Sequence, residues 1–283
     1  MATERQLYAD HFSPVEAAGS QVDALRGSRL LVSWEWAEPK ADGVWCRVEI
    51  AEDGTVIGYG RNGRKLFDYT CEGFGAIAPA TIVGEYIDGS GWSRAHDRDQ
   101  GRVIAFDCTT FGGRDVSAHP RWHRRELMIA ACKCDPDGLK PIAGQYIDPN
   151  NPDALADLWR LWVDLAGWEG LVLKSFGPYR VSLLRLKQRV EVDYVCTGFE
   201  VGEGRTVKSV RGGLYNSDGV LVECVRAHGL CATEKREIYK NRRNLTGQTF
   251  KVLASATSDK GTARHPIFAG WHADKPPAEC VMR

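Results

Sequence analysis

A single lysine stands where a short loop could present it as a nucleophile. Lys40 lies in the segment PKADGVWC, between Pro39, which fixes the backbone before it, and Gly43, which lets the chain approach a ligand closely. Asp42 adds a carboxylate two residues after the lysine. An amine attacks phosphorus or carbonyl centres only when it is deprotonated, which requires burial or neighbouring positive charge. The segment therefore predicts either nucleophilic chemistry at Lys40 or a surface turn with a solvated lysine.

Further charged residues interrupt or border apolar runs downstream of this loop. Glu85 lies inside TIVGEYI, so its carboxylate either faces solvent or points into a site. Glu169 begins the run EGLVLKSF, which is typical of a buried strand. Arg185 and Lys187 are two residues apart in SLLRLKQ and therefore share one strand face, where both could reach a phosphate chain. A solvated face of an edge strand is the alternative for this pair.

The roles of two other features depend on which residues lie beside them in the folded protein. The turn Arg61-Asn62-Gly63-Arg64-Lys65 carries three cations and is either a solvated hairpin end or an anion-binding loop. Phe106 lies near the end of the apolar run 102–108 and is by default a core residue. An aromatic ring beside a nucleotide site can, however, stack on the base.

Composition predicts a soluble protein with a substantial core. The chain has 283 residues, 43% of them hydrophobic, which suffices for one large or two moderate domains. It contains no apolar run long enough to span a bilayer and no apolar signal core at its start, so we expect no membrane association. The nine scattered cysteines indicate reduced thiols in the cytoplasm. From Cys196 onward, fourteen Lys and Arg face nine Asp and Glu, and this excess could meet a polyanion.

The elements that must position these residues follow from apolar periodicity. Predicted strands cover 30–36 and 44–50, and the Glu52-Asp53-Gly54 turn joins the second to a partner strand at 55–59. Pro120 and Pro152 each open a predicted helix. In the second helix, a packing stripe is formed by Leu155, Leu158, Trp159 and Trp162. Lys40 is therefore expected in a loop held by a sheet.

The pattern of predicted elements changes near residue 196. Short β-like pieces with turn signals and one charged helical stretch, TEKREIYKNRR, are typical of a small oligonucleotide/oligosaccharide-binding (OB) barrel. We therefore predict an α+β protein with two domains, covering residues 1–195 and 196–283. No internal repeat or low-complexity segment interrupts them.

With these pieces in order, the chain resembles the covalent nucleotidyltransferases and, within them, the ATP-dependent DNA ligases. EPKADG is similar to the nucleotide-attachment motif of that family, and YGRNG, VGEYIDG and VIAFDC are similar to the three motifs that follow it. EGLVLK and LLRLKQ resemble the fourth and fifth motifs, and ARHPIFAGWHADKPPAEC resembles the segment that closes the ligase barrel domain. The resemblance implies a nucleotidyltransferase (ATP-grasp-like ligase) domain of antiparallel sheets and helices, followed by an OB-fold β-barrel.

The resemblance also implies roles for individual residues. Lys40 would carry AMP, while Asp42, Arg185 and Lys187 would complete the catalytic set. The residues implied to bind the nucleotide are Glu38, Lys40, Arg61, Glu85, Phe106, Glu169 and Lys187. Within that set, Phe106 would stack on adenine, Glu38 would help read its edge, and Arg61 would hold the 5′-phosphate of a nick. Glu85 would contact the ribose or a metal, and Glu169 is the expected carboxylate beside Mg²⁺.

The implied function is the sealing of nicks in double-stranded DNA by a small monomeric enzyme that uses ATP and Mg²⁺ in the cytoplasm of a bacterial or phage-infected cell. An RNA ligase, an mRNA-capping guanylyltransferase and a non-catalytic nucleic-acid-binding relative are the alternatives. The chain departs from the family pattern at Trp45, where an arginine is usual and Arg47 is the nearest one, and at Arg185, where a lysine is usual. It departs again where Trp271 and His272 occupy a stretch that is often arginine-rich.

Overall fold

The computed structural model describes residues 34–89, 99–148, 151, 153–179 and 183–282. By compactness this part of the chain divides after Lys187 into a first unit, residues 34–187, and a second unit, residues 188–282. This division precedes the boundary predicted between residues 195 and 196, because Val190–Gly202 forms one continuous strand. No helix of the described residues is long and apolar enough to cross a membrane.

The larger sheet of the first unit has seven strands and is antiparallel except for one short parallel pair. Its order is β4-β3-β2-β5-β6-β7, and β8 pairs with β6 in parallel. These strands are β2 (Val44–Ile50), β3 (Thr55–Tyr59), β4 (Lys65–Thr70), β5 (Ala80–Tyr86), β6 (Val103–Phe111), β7 (Arg114–Asp115) and β8 (Leu139–Pro141). The predicted hairpin of β2 and β3 is confirmed, and a strand that the sequence analysis did not predict, β4, extends it.

Local turn chemistry fixes both hairpin connections. The Asp53 side chain accepts a hydrogen bond from the backbone amide of Thr55 at 2.9 Å, and Gly54 has a φ of 82°. In the next turn the Asn62 side chain accepts from the amide of Arg64 at 3.1 Å, and Gly63 has a φ of 76°. Positive φ favours glycine in such turns, which is why both sequences form tight hairpins.

Strand β2 separates a core face from a site face. Its alternate residues Cys46, Val48 and Ile50 are buried in the core of the first unit. That core is covered by helix α1 (Arg121–Cys134), which contributes Met128 and other buried side chains. Because side chains alternate along a strand, Trp45, Arg47 and Glu49 project from the opposite face.

A second, four-stranded sheet holds the lysine loop. Its order is β11-β10-β1-β9, all antiparallel. The strands are β1 (Trp36–Pro39), β9 (Gln145–Tyr146), β10 (Gly170–Lys174) and β11 (Leu183–Lys187). The predicted strand at 30–36 lies largely outside the described residues, and the strand observed here begins at Trp36 and ends at Pro39.

Helix α2 (Ala154–Trp159) continues as a π-helical segment, Arg160–Leu165, and covers the predicted second helix. Leu155, Leu158 and Trp159 are buried as the packing stripe requires, whereas Trp162 is only half-buried. In the α-helical part, the predicted packing stripe therefore lies on the buried face of the helix. In the π-helical part the residues no longer follow a 3.6-residue period.

The second unit is a five-stranded antiparallel barrel. Its sheet has the order β14-β13-β12-β15-β18, and a parallel bridge between His228 and Ile267 joins its two edges. Helix α3 (Ala232–Leu245) lies between the third and fourth strands in chain order. The strands are β12 (Val190–Gly202), β13 (Thr206–Tyr215), β14 (Leu221–Ala227), β15 (Thr249–Ala254) and β18 (Ile267–Trp271), with the short hairpin β16 (Ala256–Thr257) and β17 (Ala263–Arg264) inserted. This is the arrangement of an OB-fold.

Candidate active site

Lys40 is fixed immediately beyond the end of β1. Its backbone amide donates a hydrogen bond to the carbonyl of Gly170 at 2.7 Å, at the start of β10. The preceding Pro39 pairs in register with Leu171. The sequence that precedes the lysine is thus held as a strand, and the loop opens only at the residue that could react.

Glu169 joins two lysines, one in the loop after β1 and one in β11. The Lys40 ammonium donates a short hydrogen bond to Glu169 Oε2, and Lys187 Nζ lies 2.9 Å from Glu169 Oε1. The side chains of Lys40 and Glu169 are 13% and 7% exposed, so the pair is nearly withdrawn from water. Burial raises the pKa of Glu169, but the two lysines outweigh it, and the pKa of this carboxyl lies below its ordinary value. Glu169 is therefore an anion that positions two cations.

Glu85 supplies a second carboxylate on the site face of the larger sheet. Its Oε2 is buried and has no hydrogen-bond partner among the described residues. Burial raises the pKa of Glu85 to about 7; Lys40, Arg61 and Arg185 lower it, and Glu169 raises it. All four charges therefore act on Glu85 electrostatically, although they come from widely separated parts of the sequence. A buried polar atom without a partner is uncommon in a folded protein and indicates a place for a ligand atom or an ion.

Glutamine at position 85 is expected to stabilise the folded protein at neutral and alkaline pH. Because the folded pKa of Glu85 is about 7 and its ordinary value is 4.5, stability is lost as pH rises through this window. Glu85→Gln should therefore increase the free energy of unfolding by on the order of 2 kcal/mol above the window and much less below it. Urea denaturation of both proteins in EDTA measures this difference. A difference that does not change with pH would contradict the burial of an ionisable Glu85.

The donor set around these carboxylates suits a hard cation that also binds a nucleotide. Among the residues that the structure describes, no three His, Cys, Asp or Glu side chains converge as a metal site. Mg²⁺ is commonly held by one or two carboxylates together with substrate phosphates and water. Glu85, with its partnerless oxygen, and Glu169 fit that requirement.

Arg185 and Lys187 lie on β11 as the spacing predicts. Lys187 pairs in register with Gly170, and Arg185 pairs with Val172. Both are half-buried. Asp42 is buried, at 4% exposure. It directly follows Ala41, which packs in a small cluster with Ile87, Ile104 and Ile142.

Phe106 packs against the same small apolar cluster as Ala41, so its ring belongs to the wall beside the lysine loop. The Lys174 ammonium lies 4.8 Å from the centroid of that ring. The ring is half-buried. Its predicted role as a stacking surface for adenine stays a prediction.

Glu38 lies in a buried network of charges. Its carboxylate accepts hydrogen bonds from Arg121 at 2.9 Å, from the Trp36 indole at 3.0 Å and, through a short contact, from Lys174. Burial lowers the pKa of Lys174 to about 8, and Glu38 opposes that shift. A direct contact of Glu38 with a base would have to compete with these partners.

The cationic part of this network was not predicted from the sequence. Arg121, Arg124 and Arg125 lie at positions i, i+3 and i+4 of α1 and therefore share one helix face. Arg121 and Arg124 both contact Asp107, and Arg125 lies over the Trp36 ring at 5.0 Å. The spacing of these arginines was the available signal, but a charged helix face is usually solvated, and only the tertiary structure shows that this one is buried.

Among the described residues, Arg47 makes no contact with Lys40 or Glu169. It is 50% exposed, forms an ion pair with Glu49 at 2.8 Å and lies over the Tyr59 ring at 5.7 Å. Trp45, at the position where the family motif has an arginine, instead contacts Arg61, whose guanidinium carbon lies 5.9 Å from the centroid of the indole.

In the second unit, the predicted closing segment forms its own ionic cluster. His272 Nδ1 lies 2.9 Å from Asp193 Oδ1, and Lys275 Nζ lies 3.7 Å from Asp193 Oδ2. Trp271 packs in the barrel core against Phe250 and Phe268. Trp271 therefore serves the barrel interior, whereas His272 and Lys275 are tied to strand β12.

Comparison with known proteins defines the fold but not a sequence family. No protein-family model and no curated protein matches the sequence. Two solved structures, described as Pmar-Lig_PreS3 and Pmar-Lig_Pre., align with TM-scores of 0.65 at 16% and 18% identity, over 86% and 85% of this chain. The chain spans 64% of the length of each.

A third structure comes from work on "DNA binding with a minimal scaffold: Structure-function analysis of Lig E DNA ligases". It aligns with a TM-score of 0.59 at 18% identity and covers 85% of this chain and 93% of its own. The protein thus has the fold of DNA ligases of this kind. This confirms the predicted α+β class and the predicted architecture of a nucleotidyltransferase domain with an OB-fold.

Proposed function

We propose that this protein is an ATP-dependent DNA ligase that seals nicks in duplex DNA through a lysyl-AMP and an adenylylated 5′-phosphate. The observation that carries the proposal is the buried pairing of Lys40 with Glu169 beside Lys187, in a chain with a DNA-ligase fold. A lysine that only solubilised the surface would not be held by a buried carboxylate shared with a second lysine. The cytoplasm of a bacterial or phage-infected cell is the expected setting.

In the first step, Lys40 Nζ attacks the α-phosphorus of ATP. The ammonium first gives up one proton to become a nucleophilic amine; a P–N bond then forms as the bond to pyrophosphate breaks, and the nitrogen loses a second proton, both protons passing to solvent or to the departing pyrophosphate. Glu169 sets the position of Nζ, and Arg185 and Lys187 face the negative charge that accumulates on the phosphate oxygens. Glu85 and Glu169 would hold Mg²⁺, which supplies further charge neutralisation when it is bound.

Two further transfers complete the proposed reaction. The 5′-phosphate of a nick attacks the lysyl-AMP phosphorus, which frees Lys40 and leaves AMP joined to the DNA end. The 3′-hydroxyl then attacks the activated 5′-phosphate, so that AMP leaves and a phosphodiester bond forms. Arg61 would hold the 5′-phosphate, Asp42 would serve these later steps, and Phe106 and Glu38 would line the adenine site.

The purified protein is expected to retain label when it is incubated with Mg²⁺ and α-labelled ATP and then denatured. Adding nicked duplex DNA with a 5′-phosphate should discharge the label and produce a sealed strand. Labelling by GTP would favour a capping guanylyltransferase, and discharge only on nicked RNA would favour an RNA ligase. Folded protein, first freed of bound AMP with pyrophosphate, that takes label from neither nucleotide would contradict the proposal and leave a non-catalytic binding protein.

A further inference from the structure

Trp45 lies where it can shape the site without being a reactive group. In the pairing of β2 with β5, Trp45 is directly opposite Glu85. Opposite residues of an antiparallel pair project from the same face, with their Cβ atoms about 5 Å apart. The indole is half-buried and therefore presents part of its surface to the site face of the larger sheet.

Arg61 reaches the same place from the turn between β3 and β4. Its guanidinium carbon lies 5.9 Å from the centroid of the Trp45 ring, within the range of a cation–π contact. Because Trp45 is paired with Glu85, the guanidinium lies over the residue that is opposite this carboxylate. Within the described part of the chain, Arg61 forms no ion pair, and the indole is the group seen to orient it.

The neighbouring cations of the turn are arranged differently. Lys65 forms an ion pair with Asp68 at 3.1 Å, and both side chains are more than half exposed. Arg64 is exposed, as Arg61 is, but it has no aromatic platform among the described residues. Within the described residues, Arg61 is thus the one cation of this turn that lies over an aromatic ring, and that ring is opposite Glu85, whose Oε2 has no partner.

We propose that Trp45 is a positioning residue that holds the Arg61 guanidinium over the site face, so that Arg61 can bind the 5′-phosphate of a nick. This inference rests on the proposed function. Stacking uses the face of the guanidinium and leaves its N–H donors, which lie in the plane, directed outward toward phosphate oxygens. The indole therefore takes the place of the arginine expected at position 45 by orienting a different arginine, not by contacting phosphate itself.

The nature of the residue at position 45 separates this role from a direct anion contact. Phenylalanine keeps an aromatic platform, alanine removes it, and arginine restores the residue expected from the family pattern. If Trp45 orients Arg61, Trp45→Arg should impair the phosphate-dependent step, because it places a second cation next to Arg61 and removes the stacking surface. If position 45 only needs an anion-binding group, Trp45→Arg should perform as well as the wild type or better.

The test uses full-length protein charged with labelled AMP and follows transfer of the label to nicked duplex DNA in single turnovers. Trp45→Ala is expected to raise the nick concentration at half-maximal rate about fivefold, and Trp45→Phe to recover most of that loss. Arg61→Ala should raise it at least as much, and the double variant should be no worse than Arg61→Ala alone. Arg64→Ala, the matched change in the same turn, should have the smaller effect.

Additive effects of Trp45→Ala and Arg61→Ala would overturn the inference, as would full function in Trp45→Arg or no recovery in Trp45→Phe. Thermal unfolding of each variant identifies any change that disturbs the sheet. Trp45→Phe and Trp45→Arg both keep a large side chain at this position and therefore separate loss of the aromatic face from such a disturbance. Wild-type protein that takes no label would instead mean that the proposed function fails. Normal labelling and sealing without coupling would mean that only the role of Trp45 fails.

Discussion

Replacing Lys40 with alanine is expected to abolish the covalent label from ATP, a fall of at least about 10⁴-fold, because the change removes the amine that the proposed function assigns as the nucleophile. The fold should survive. The change leaves Glu169 paired with Lys187 at 2.9 Å, so the buried carboxylate keeps a cationic partner. Label retained on the denatured polypeptide, measured beside the wild type, is the readout.

Lys40→Arg provides the stricter comparison, because it keeps the positive charge beside Glu169 but offers a guanidinium that stays protonated and cannot attack. It should be as inactive in labelling as Lys40→Ala. Lys240→Ala is the matched surface control, since Lys240 is 67% exposed on α3 and pairs with Glu237 on the same helix. It should label like the wild type. Label that persists in Lys40→Ala would place the nucleophile elsewhere, and Lys187 would be the first residue to examine.

The members of the Lys40–Glu169–Lys187 cluster could be singled out from the sequence because they lie in short ordered segments, and their catalytic roles stay a prediction. Lys40, Glu169 and Lys187 each stand at the border of an apolar run, and the order of those runs is what the resemblance uses. The structure brings the three together, since β1 and β11 both pair with β10. Sheet pairing between distant segments is not encoded in local periodicity, so the contact itself could not be derived from spacing.

The buried charges around Glu38 were less accessible to sequence reasoning. A carboxylate before a nucleophile and arginines on a helix are each read most simply as exposed groups. Only when α1 packs over the larger sheet do Arg121 and Arg124 meet Asp107. Strand β4 was not predicted for a related reason. Its sequence, KLFDYT, has charged residues and no fully buried position, so only its pairing with β3 identifies it as a strand.

Arg124 carries the largest expected effect on stability. Its side chain is 1% exposed. Two of its nitrogens donate hydrogen bonds to the Asp107 carboxylate, Nε at 2.8 Å and Nη2 at 3.0 Å, and Nη1 donates to the carbonyl of Gly177 at 3.2 Å. Asp107 is itself buried. Removing Arg124 leaves the buried Asp107 carboxylate with only the longer contact to Arg121, at 3.4 Å, in a region that is nearly withdrawn from water.

Arg124→Ala should therefore lower the free energy of unfolding by about 3–5 kcal/mol, measured by urea denaturation followed by circular dichroism. Arg124→Lys should recover only part of this, because an ammonium cannot reproduce the two-donor fork. Arg114→Ala, at an exposed arginine of the same unit, is the matched control and should change stability by less than about 0.5 kcal/mol.

The double variant Arg124→Met/Asp107→Leu shows whether the interaction between Arg124 and Asp107 itself stabilises the fold. Because both charges disappear together, its loss should be clearly smaller than the sum of the two single losses. Additive losses, or a loss below about 1 kcal/mol in Arg124→Ala, would mean that water reaches the pair. The packing of α1 over the core of the first unit would then depend on its apolar face, through Met128, Ala131 and Cys132, and not on its arginines.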